Sequence, residues 1–480
     1  MDKFFKLSAN QTTVRTEIIA GLTTFFAMAY IVLVNPNQVA AEGANGWLVE
    51  LGADPVAMGK IWNAVYIASI LVAVFGTLLM GLYAKMPFAQ ACGMGLNSFF
   101  CTIFVSGAFF CGMNVVDGYQ AGLVIIFASG VIFLVLSLTG AREYIARTMP
   151  LSLKNAIPAG IGLFIAFIGF QNCGLIQPNQ YTIVQLVDIH GAIQNGEFAA
   201  QAIPAIVALI GLFVIAILGK LNVKGNVIIG IIASTVLYYV FTQTTPSFGG
   251  STVSQAFSDF SEIGITGIFH KAAWSNAFTS TAVGGVFSAI MLIISFLLVD
   301  LFDTLGTIYG TAAQANLLDE KGDPINLGRC MMADSVATTA GAVFGTSTCT
   351  TFVESASGVA AGGRTGLSSV VVAICFFLCL FVSPLASVVP SCATAPALIF
   401  VGVLMAKNFA KVDMHDIASA VPAFLTFIMM PLTYSISNGI GVGAISYVVI
   451  TLFTGKFKKR DIIITLIAVL FVIKFIFVTM

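Results

Sequence analysis

Residues Gly345–Gly358 read GTSTCTTFVESASG, a run of small and hydroxyl-bearing residues that carries one carboxylate, Glu354, between strongly apolar segments. A matching run lies in the first half of the chain. Residues 92–98 read CGMGLNS and residues 349–355 read CTTFVES, so a cysteine, a polar residue and a serine recur at the same spacing. The segments before them match as well, because residues 73–77 and 342–346 are both AVFGT. The pattern predicts two related halves, each delivering one interrupted helix to a shared site near the middle of a membrane.

The composition is that of a polytopic membrane protein. Of 480 residues, 58% are hydrophobic and 9% charged, against about 25% charged in soluble domains. The 21 basic and 21 acidic residues balance, so no nucleic acid or other polyanion is expected as a partner. Nine cysteines lie scattered in apolar sequence without a CxxC pair and are expected to be small packing residues rather than disulfides or metal ligands.

Hydropathy predicts two sets of seven membrane spans, since a span needs about 20 mostly apolar residues and fewer where a helix is broken inside protein. The first set lies near residues 17–34, 61–83, 90–111, 120–139, 153–171, 202–219 and 226–241. The second lies near residues 283–306, 327–344, 346–361, 367–385, 396–409, 417–435 and 441–453. For the apolar stretch 462–478, hydropathy leaves open whether it spans the bilayer or packs at the periphery.

Basic residues fall in loops on one side of these spans, among them Arg15, Lys85, Lys154, Lys220 and residues 456–460. The opposite loops, 35–59, 112–119 and 172–201, contain no Lys or Arg. The positive-inside bias therefore predicts a multi-pass protein of the cytoplasmic membrane with its N-terminus in the cytoplasm. An odd number of spans separates the two halves, so the repeats are predicted to be inverted.

Four acidic residues lie inside predicted spans, where a charge is costly and needs a partner or a function: Asp300, Asp303, Asp334 and Glu354. Asp300 and Asp303 are three residues apart in VDLFDTLGT and so lie on neighbouring faces of one helix. Capping or pairing at a helix end is the alternative role for both. Asp334 has no counterpart in the other half and is placed outside the site, hydrogen-bonded to Ser and Thr neighbours.

Glu354 and Asn97 occupy equivalent repeat positions where a half-helix would begin. A helix N-terminus offers unsatisfied N–H groups and a positive dipole end. Backbone donors, one amide and carboxylates that accept N–H bonds or hold a proton together suit a small, flat, neutral heterocycle. They suit a sulfate-like anion poorly.

Motifs of soluble enzyme chemistry are missing from the sequence. There is no HExxH or GxSxG, and no Walker or Rossmann glycine pattern follows a strand. The chain is therefore not expected to be an enzyme, to hydrolyse ATP, or to hold a cofactor or metal. A coupling ion is the remaining energy source for a transporter.

Four segments together resemble the adenine/guanine/hypoxanthine permease branch of the nucleobase-cation symporters: TEIIAGLTTFFAMAYIVLVNP at 16–36, CGMGLN at 92–97, DLFDTLGT at 300–307 and TTFVESASGVAAGGRTG at 350–366. The resemblance implies an all-α, uracil-permease-like fold of fourteen spans in a 7+7 inverted repeat, with short extended segments in spans 3 and 10. It also implies a core domain, residues 1–140 and 283–388, and a gate domain, residues 141–282 and 389–480.

The resemblance also implies roles for the polar residues. Asp303 and Glu354 would contact the base, Asn97 would support them, and Asp300 would be a second acid of the same motif. An aromatic face is expected from stacking physics and from the family, with Phe352 the first candidate and Phe25 or Phe26 the next; ordinary packing is the alternative for each.

The predicted function is import of purine nucleobases (adenine, hypoxanthine, guanine) by proton symport, with Glu354 or Asp303 carrying the proton. The base would be held by backbone N–H groups of Thr351, Phe352 and Val353. Two alternatives stay open at this stage: an anion permease or channel on the same scaffold, and a membrane sensor that binds purine without moving it. A homodimer is expected from relatives alone.

Overall fold

The computed structural model describes residues 2–140, 148–179, 181–223, 225–245, 252–279, 285–315, 317–319, 324–382 and 388–477. Nearly all of these residues that have regular structure are helical. The expected domain boundaries at 140/141 and 282/283 fall at or within gaps between the described ranges.

The first half of the chain contains eight longer helices and three short strands. In chain order they are α1 (Val14–Met28), α2 (Ile31–Val39), α3 (Pro55–Leu79), β1 (Gln90–Cys92), α4 (Met94–Phe100), α5 (Val115–Leu138), α6 (Leu151–Asn172), β2 (Ile176–Asn179), β3 (Ile183–Leu186), α7 (Phe198–Lys220) and α8 (Asn226–Thr242). Strands β2 and β3 form an antiparallel hairpin. Shorter helical segments cover Asp2–Phe5, Trp47–Glu50, Gly107–Phe110, Ile189–Gln194 and Val253–Asp259.

The second half continues with α9 (Lys271–Thr279), α10 (Gly285–Ala315), α11 (Leu327–Phe344), β4 (Cys349–Thr351), α12 (Ser355–Ala360), α13 (Gly366–Cys379), α14 (Ser391–Ala406), α15 (Ile417–Leu432), α16 (Ile436–Phe453) and α17 (Ile462–Phe477). The stretch whose placement hydropathy left open forms α17, which packs against α16. Its Lys474 ammonium donates to the Ser437 hydroxyl at 2.7 Å.

Within the described ranges, eight helical segments are long and apolar enough to cross a membrane, and four more apolar helices are shorter. The shorter ones are Met94–Phe110, Asn226–Thr242, Gly366–Cys379 and Ile417–Leu432. The difference from the fourteen predicted spans has a physical origin in part. Where a span begins with extended backbone, as it does before α4 and α12, too few helical residues remain to cross a bilayer alone.

Strands β1 and β4 pair in the protein interior, although they lie about 260 residues apart in the chain. They are antiparallel, and their partners are Gln90 with Thr351, Ala91 with Thr350, and Cys92 with Cys349. All six of these residues are buried. The two cysteines that mark the matching sequence runs therefore face each other, and a half-helix leaves each strand.

Gly345 fixes where the extended segment before β4 begins. It follows α11 with a φ of +100°, a left-handed conformation that glycine adopts readily and that commonly ends helices. A Cβ atom at this position would lie 2.7 Å from the Gly264 Cα atom. The Tyr119 hydroxyl donates to the Gly345 carbonyl oxygen and holds the turn from the opposite side.

The helices pack in two groups. The first helix group contains α1, α3, α5, α11 and α13: α1 packs against α13, α3 against α11 and α13, and α5 against α11. The second helix group contains α6, α7, α14, α15 and α16: α6 packs against α14 and α15, α7 against α14, and α15 against α16. Helix α10 contacts members of both groups, so residues on α10 can face the junction between them.

Gly366 lies at one of the closest backbone approaches of the first helix group. A Cβ atom on Gly366 would sit 1.9 Å from the Gly81 carbonyl oxygen. We expect Gly366→Ala to destabilise the fold by about 1–3 kcal/mol, because the two backbones must separate. Thermal unfolding of the purified protein in detergent measures this. Gly59→Ala is the control, since its Cβ would meet only the Ala44 Cβ at 3.4 Å; equal melting temperatures for the two variants would contradict the prediction.

Candidate functional site

A single cavity brings Asp303 and Glu354 together at the junction of the two helix groups. From one side it is lined by Met94 and Gly95 of α4, Asp303 and Thr307 of α10, and residues 350–354 around the end of β4. From the other side it is lined by residues of α6, of α14 and of the turn after α14: Pro158, Ile165, Val401, Leu404, Met405 and Asn408. One wall is therefore rich in carboxylate and hydroxyl groups, and the other is mostly apolar.

Glu354 directly precedes α12 and is 9% exposed. The Tyr30 hydroxyl, from the break between α1 and α2, donates to its Oε1 atom at 2.5 Å. Next to it, the Ser355 hydroxyl accepts from the Ala89 N–H at 3.0 Å, which joins the start of α12 to the segment before β1. These contacts hold the carboxylate at the cavity while Oε2 remains for another partner.

Asp303 reaches the same cavity from α10, and the Thr350 hydroxyl of β4 is hydrogen-bonded to it. The Asp334 carboxylate lies close enough for the two to repel each other. Asp334 is fully buried and accepts from the Thr304 hydroxyl at 2.8 Å and from Gln90 Nε2 at 3.3 Å. Asp334 does hydrogen-bond a threonine, as the sequence indicated, but it lies beside the cavity wall rather than away from the site.

Asn97 and Asp300 lie behind the cavity and do not line it. Asn97 is fully buried on α4, where its Oδ1 accepts from the Ser347 hydroxyl. Its Nδ2 has no hydrogen-bond partner within the described part of the chain. Asp300 is buried on α10 and accepts from the Thr338 hydroxyl at 2.9 Å. Thr338 in turn donates to the Cys349 carbonyl oxygen, so Asp300 is connected to β4 rather than exposed to a ligand.

The three aromatic candidates separate clearly. Phe352 lines the cavity and is 4% exposed. The structure does not bring Phe25 or Phe26 to the cavity, because Phe25 packs edge-on against Phe376 with ring centroids 5.3 Å apart and Phe26 is 46% exposed on the outer surface of α1.

One of the three expected backbone donors is already occupied. The Phe352 N–H donates to the Ala89 carbonyl oxygen at 3.0 Å, as part of the pairing that continues beyond β1 and β4. The expectation that it binds a ligand is corrected by this contact. Thr351 and Val353 still line the cavity.

Sequence reasoning missed Tyr30 and Asn408 and placed Asp334 outside the site. Tyr30 gives a usable signal, a hydroxyl within a long apolar run, but its partner lies more than 300 residues away in the chain. Asn408 follows the last apolar turn of α14 and resembles an ordinary loop residue. Asp334 has no repeat counterpart, so the comparison of halves could not point to it.

The contact between Tyr30 and Glu354 gives a testable prediction about the site. Tyr30→Phe removes one hydrogen bond to a carboxylate, worth about 1.5–3 kcal/mol. We expect the second-order rate constant of substrate uptake to fall roughly 10-fold, with unchanged protein in the membrane. Tyr239→Phe is the matched control, since it removes a 2.8 Å bond to the Val388 carbonyl oxygen away from the cavity. If both variants behave like the wild type, Tyr30 does not position Glu354.

Within the described ranges, no cluster of three or more His, Cys, Asp or Glu side chains could hold a metal ion. The chemistry of the cavity is that of carboxylates, hydroxyls and backbone groups facing apolar side chains. Such a set can bind and release a polar, uncharged ligand and exchange protons with it or with water.

The chain is similar to known permeases over its whole length. Residues 15–442 match the model described as Permease family. The guanine/hypoxanthine permease PbuG of Bacillus subtilis is 41% identical, covering 99% of this chain and 100% of that protein. The adenine permease AdeP of Escherichia coli is 35% identical, covering 100% and 96%. Among solved structures, the transmembrane domain of the cyanobacterial bicarbonate transporter BicA matches with a TM-score of 0.59, at 13% identity, over 88% of this chain and 97% of that one.

Proposed function

Because this chain belongs to the nucleobase-cation symporter family of permeases, we propose that it imports purine nucleobases by proton symport across the cytoplasmic membrane. It is a multi-pass membrane permease rather than an enzyme. Its relatives named as adenine and as guanine/hypoxanthine permeases support a purine substrate.

The observation that carries the proposal is the shared cavity of Asp303 and Glu354. A purine presents ring N–H groups that a carboxylate accepts, and carbonyl or imine acceptors that a protonated carboxyl group donates to. It is also flat and apolar on its faces, which suits Phe352 and the apolar wall formed by α6 and α14. We place the base between the two acids with Phe352 against one face, and with Thr351 and Val353 contributing backbone contacts.

The transport step that we propose uses the two helix groups as moving parts. The first helix group, with α10 and α12, acts as the core domain and the second as the gate domain, in a fold of fourteen spans related by an inverted repeat. Supporting this, equivalent cysteines of the two halves pair in β1 and β4, and a likeness to a solved transporter fold exists. The core domain slides or rocks against the gate domain, as in other transporters built from inverted repeats.

Proton coupling follows from the two buried acids. One carboxylate, Glu354 or Asp303, takes a proton at the outer face, which removes a buried charge before the loaded domain moves. The proton leaves at the higher pH of the cytoplasm, and the base is released with it. The N-terminus lies in the cytoplasm in this proposal, and the end of α14 near Lys407 and Lys411 marks the same side. Homodimerisation is proposed from relatives alone.

An anion permease is disfavoured by the same cavity. The likeness to a bicarbonate transporter is at 13% identity and concerns the fold, whereas function depends on the residues of the site. Two carboxylates in a cavity of low polarity would repel an anion unless both were protonated.

Uptake of labelled hypoxanthine into a host strain without purine permeases tests the proposal. Unlabelled adenine, hypoxanthine, guanine, uracil and bicarbonate serve as competitors, each at external pH 5.5 and 7.5. We expect purines to compete, uracil and bicarbonate not to compete, and uptake to be faster at the lower pH. Counterflow of labelled base in proteoliposomes separates a transporter from a receptor. Absence of counterflow, or competition by bicarbonate alone, would refute the proposal.

A further inference from the structure

The gate-side wall of the cavity, defined as Pro158, Ile165, Val401, Leu404, Met405 and Asn408, contains a single polar side chain. The other five residues present hydrocarbon, thioether or ring atoms. A flat heterocycle held by the acids of the opposite wall therefore turns its far edge toward a surface where only Asn408 offers a side-chain hydrogen bond.

Two neighbours fix the orientation of the Asn408 amide. The Lys411 ammonium donates to Asn408 Oδ1 at 3.0 Å, and Asn408 Nδ2 donates to the Met405 carbonyl oxygen at 3.2 Å. An ammonium group can only donate and a carbonyl oxygen can only accept, so these contacts agree on which amide atom is oxygen and which is nitrogen. The oxygen faces a positive charge, and one of the two N–H bonds is used.

One amide N–H of Asn408 is left to bind a ligand in the cavity. We propose that Asn408 selects 6-oxopurines over adenine by donating this N–H to the exocyclic carbonyl oxygen of the base. The inference rests on the proposed function and specifies its substrate class.

The discrimination follows from hydrogen-bond polarity. Hypoxanthine and guanine carry a carbonyl oxygen at the position where adenine carries an amino group. An N–H donor satisfies the first and is left facing another donor by the second, which costs binding free energy because both groups are desolvated. Because Asn408 Oδ1 already accepts from Lys411, turning the amide to accept from adenine would break two existing contacts.

Competition of labelled hypoxanthine uptake by unlabelled hypoxanthine, guanine and adenine tests the selectivity in the full-length protein. In Asn408→Ala and Asn408→Asp, we expect inhibition by the two oxopurines to weaken about 5- to 10-fold relative to inhibition by adenine. The Asp variant keeps the shape and an oxygen for Lys411 but has no N–H. Asn155→Ala is the matched control: its Nδ2 donates to the Lys411 carbonyl oxygen at 3.4 Å, outside the cavity, and it should keep the wild-type ratio.

The same ratios are measured by ligand-induced shifts of the melting temperature of the purified variants, so a transport-defective variant still reports its selectivity. An unchanged ratio of oxopurine to adenine affinity in both Asn408 variants would overturn the role of Asn408 while purine transport by the wild type stands. A wild type that neither binds nor transports any purine would overturn the proposed function, and this inference with it.

Discussion

Glu354→Gln is expected to abolish concentrative purine uptake, with a fall of about 100-fold or more in initial rate. The substitution keeps the size of the side chain and an oxygen atom for the Tyr30 hydroxyl, so folding should be preserved. It removes the negative charge and the ability to exchange a proton. Loss of a hydrogen bond to a charged group, about 1.5–3 kcal/mol, by itself approaches this size, and loss of proton coupling adds to it. Initial uptake of labelled hypoxanthine at external pH 5.5 measures the effect.

Glu262→Gln is the matched control for this variant, because Glu262 forms an exposed ion pair with Lys60 at 2.7 Å and lies outside the cavity lining. It should transport at the wild-type rate, since exposed ion pairs contribute little. Counterflow in proteoliposomes adds a second measurement. If Glu354 carries the proton, the Gln variant should lose accumulation driven by a pH gradient but still exchange base for base. Full accumulation in Glu354→Gln would remove Glu354 from the mechanism.

Asp303→Asn is expected to reduce purine uptake to a similar extent. Asp303 faces the cavity from α10 while the Thr350 hydroxyl is hydrogen-bonded to its carboxylate. The amide of Asn would present an N–H group where the proposed base also presents one, so an acceptor is lost and two donors meet. Binding of hypoxanthine to the purified protein, followed by thermal shift, should weaken by about 100-fold.

Asp413→Asn is the control for Asp303→Asn. Asp413 is exposed and accepts from the His415 N–H at 3.0 Å, away from the cavity lining, so binding should not change. Comparison with Glu354→Gln assigns the roles of the two acids: the variant that still binds and exchanges purine, but no longer accumulates it, has lost the proton carrier. Unchanged binding and unchanged uptake in Asp303→Asn would show that the cavity is not the purine site.

The matching runs around Cys92 and Cys349 are the part of the fold that the sequence predicted best. Their spacing indicated two interrupted helices at one site, and in the structure these two cysteines are register partners of one antiparallel pair. The prediction worked because small, hydroxyl-rich segments are conspicuous in apolar sequence and because a repeat gives each position a counterpart. It extended to Asp303 and Glu354, which the structure brings to one cavity.

What surrounds these acids was harder to predict for physical reasons. Tyr30 and Asp334 act through contacts between spans that are distant in sequence, and hydropathy carries no information about which spans touch. The gate-side wall depends on the close packing of α6 against α14, in which a Cβ atom on Gly402 would lie 2.5 Å from the Gly162 carbonyl oxygen. Phe25 and Phe26 show the reverse error, since an aromatic residue near a motif was expected at the site and the helix orientation directs it elsewhere.

Proton movement accompanying purine transport tests the central claim most directly. Purified protein is reconstituted into proteoliposomes that contain a pH-sensitive dye, and hypoxanthine is added outside without an imposed ion gradient. The account predicts acidification of the interior in proportion to hypoxanthine uptake in the wild type, and none in Glu354→Gln and Asp303→Asn. Hypoxanthine uptake without any proton movement, or acidification that persists in both variants, would contradict it.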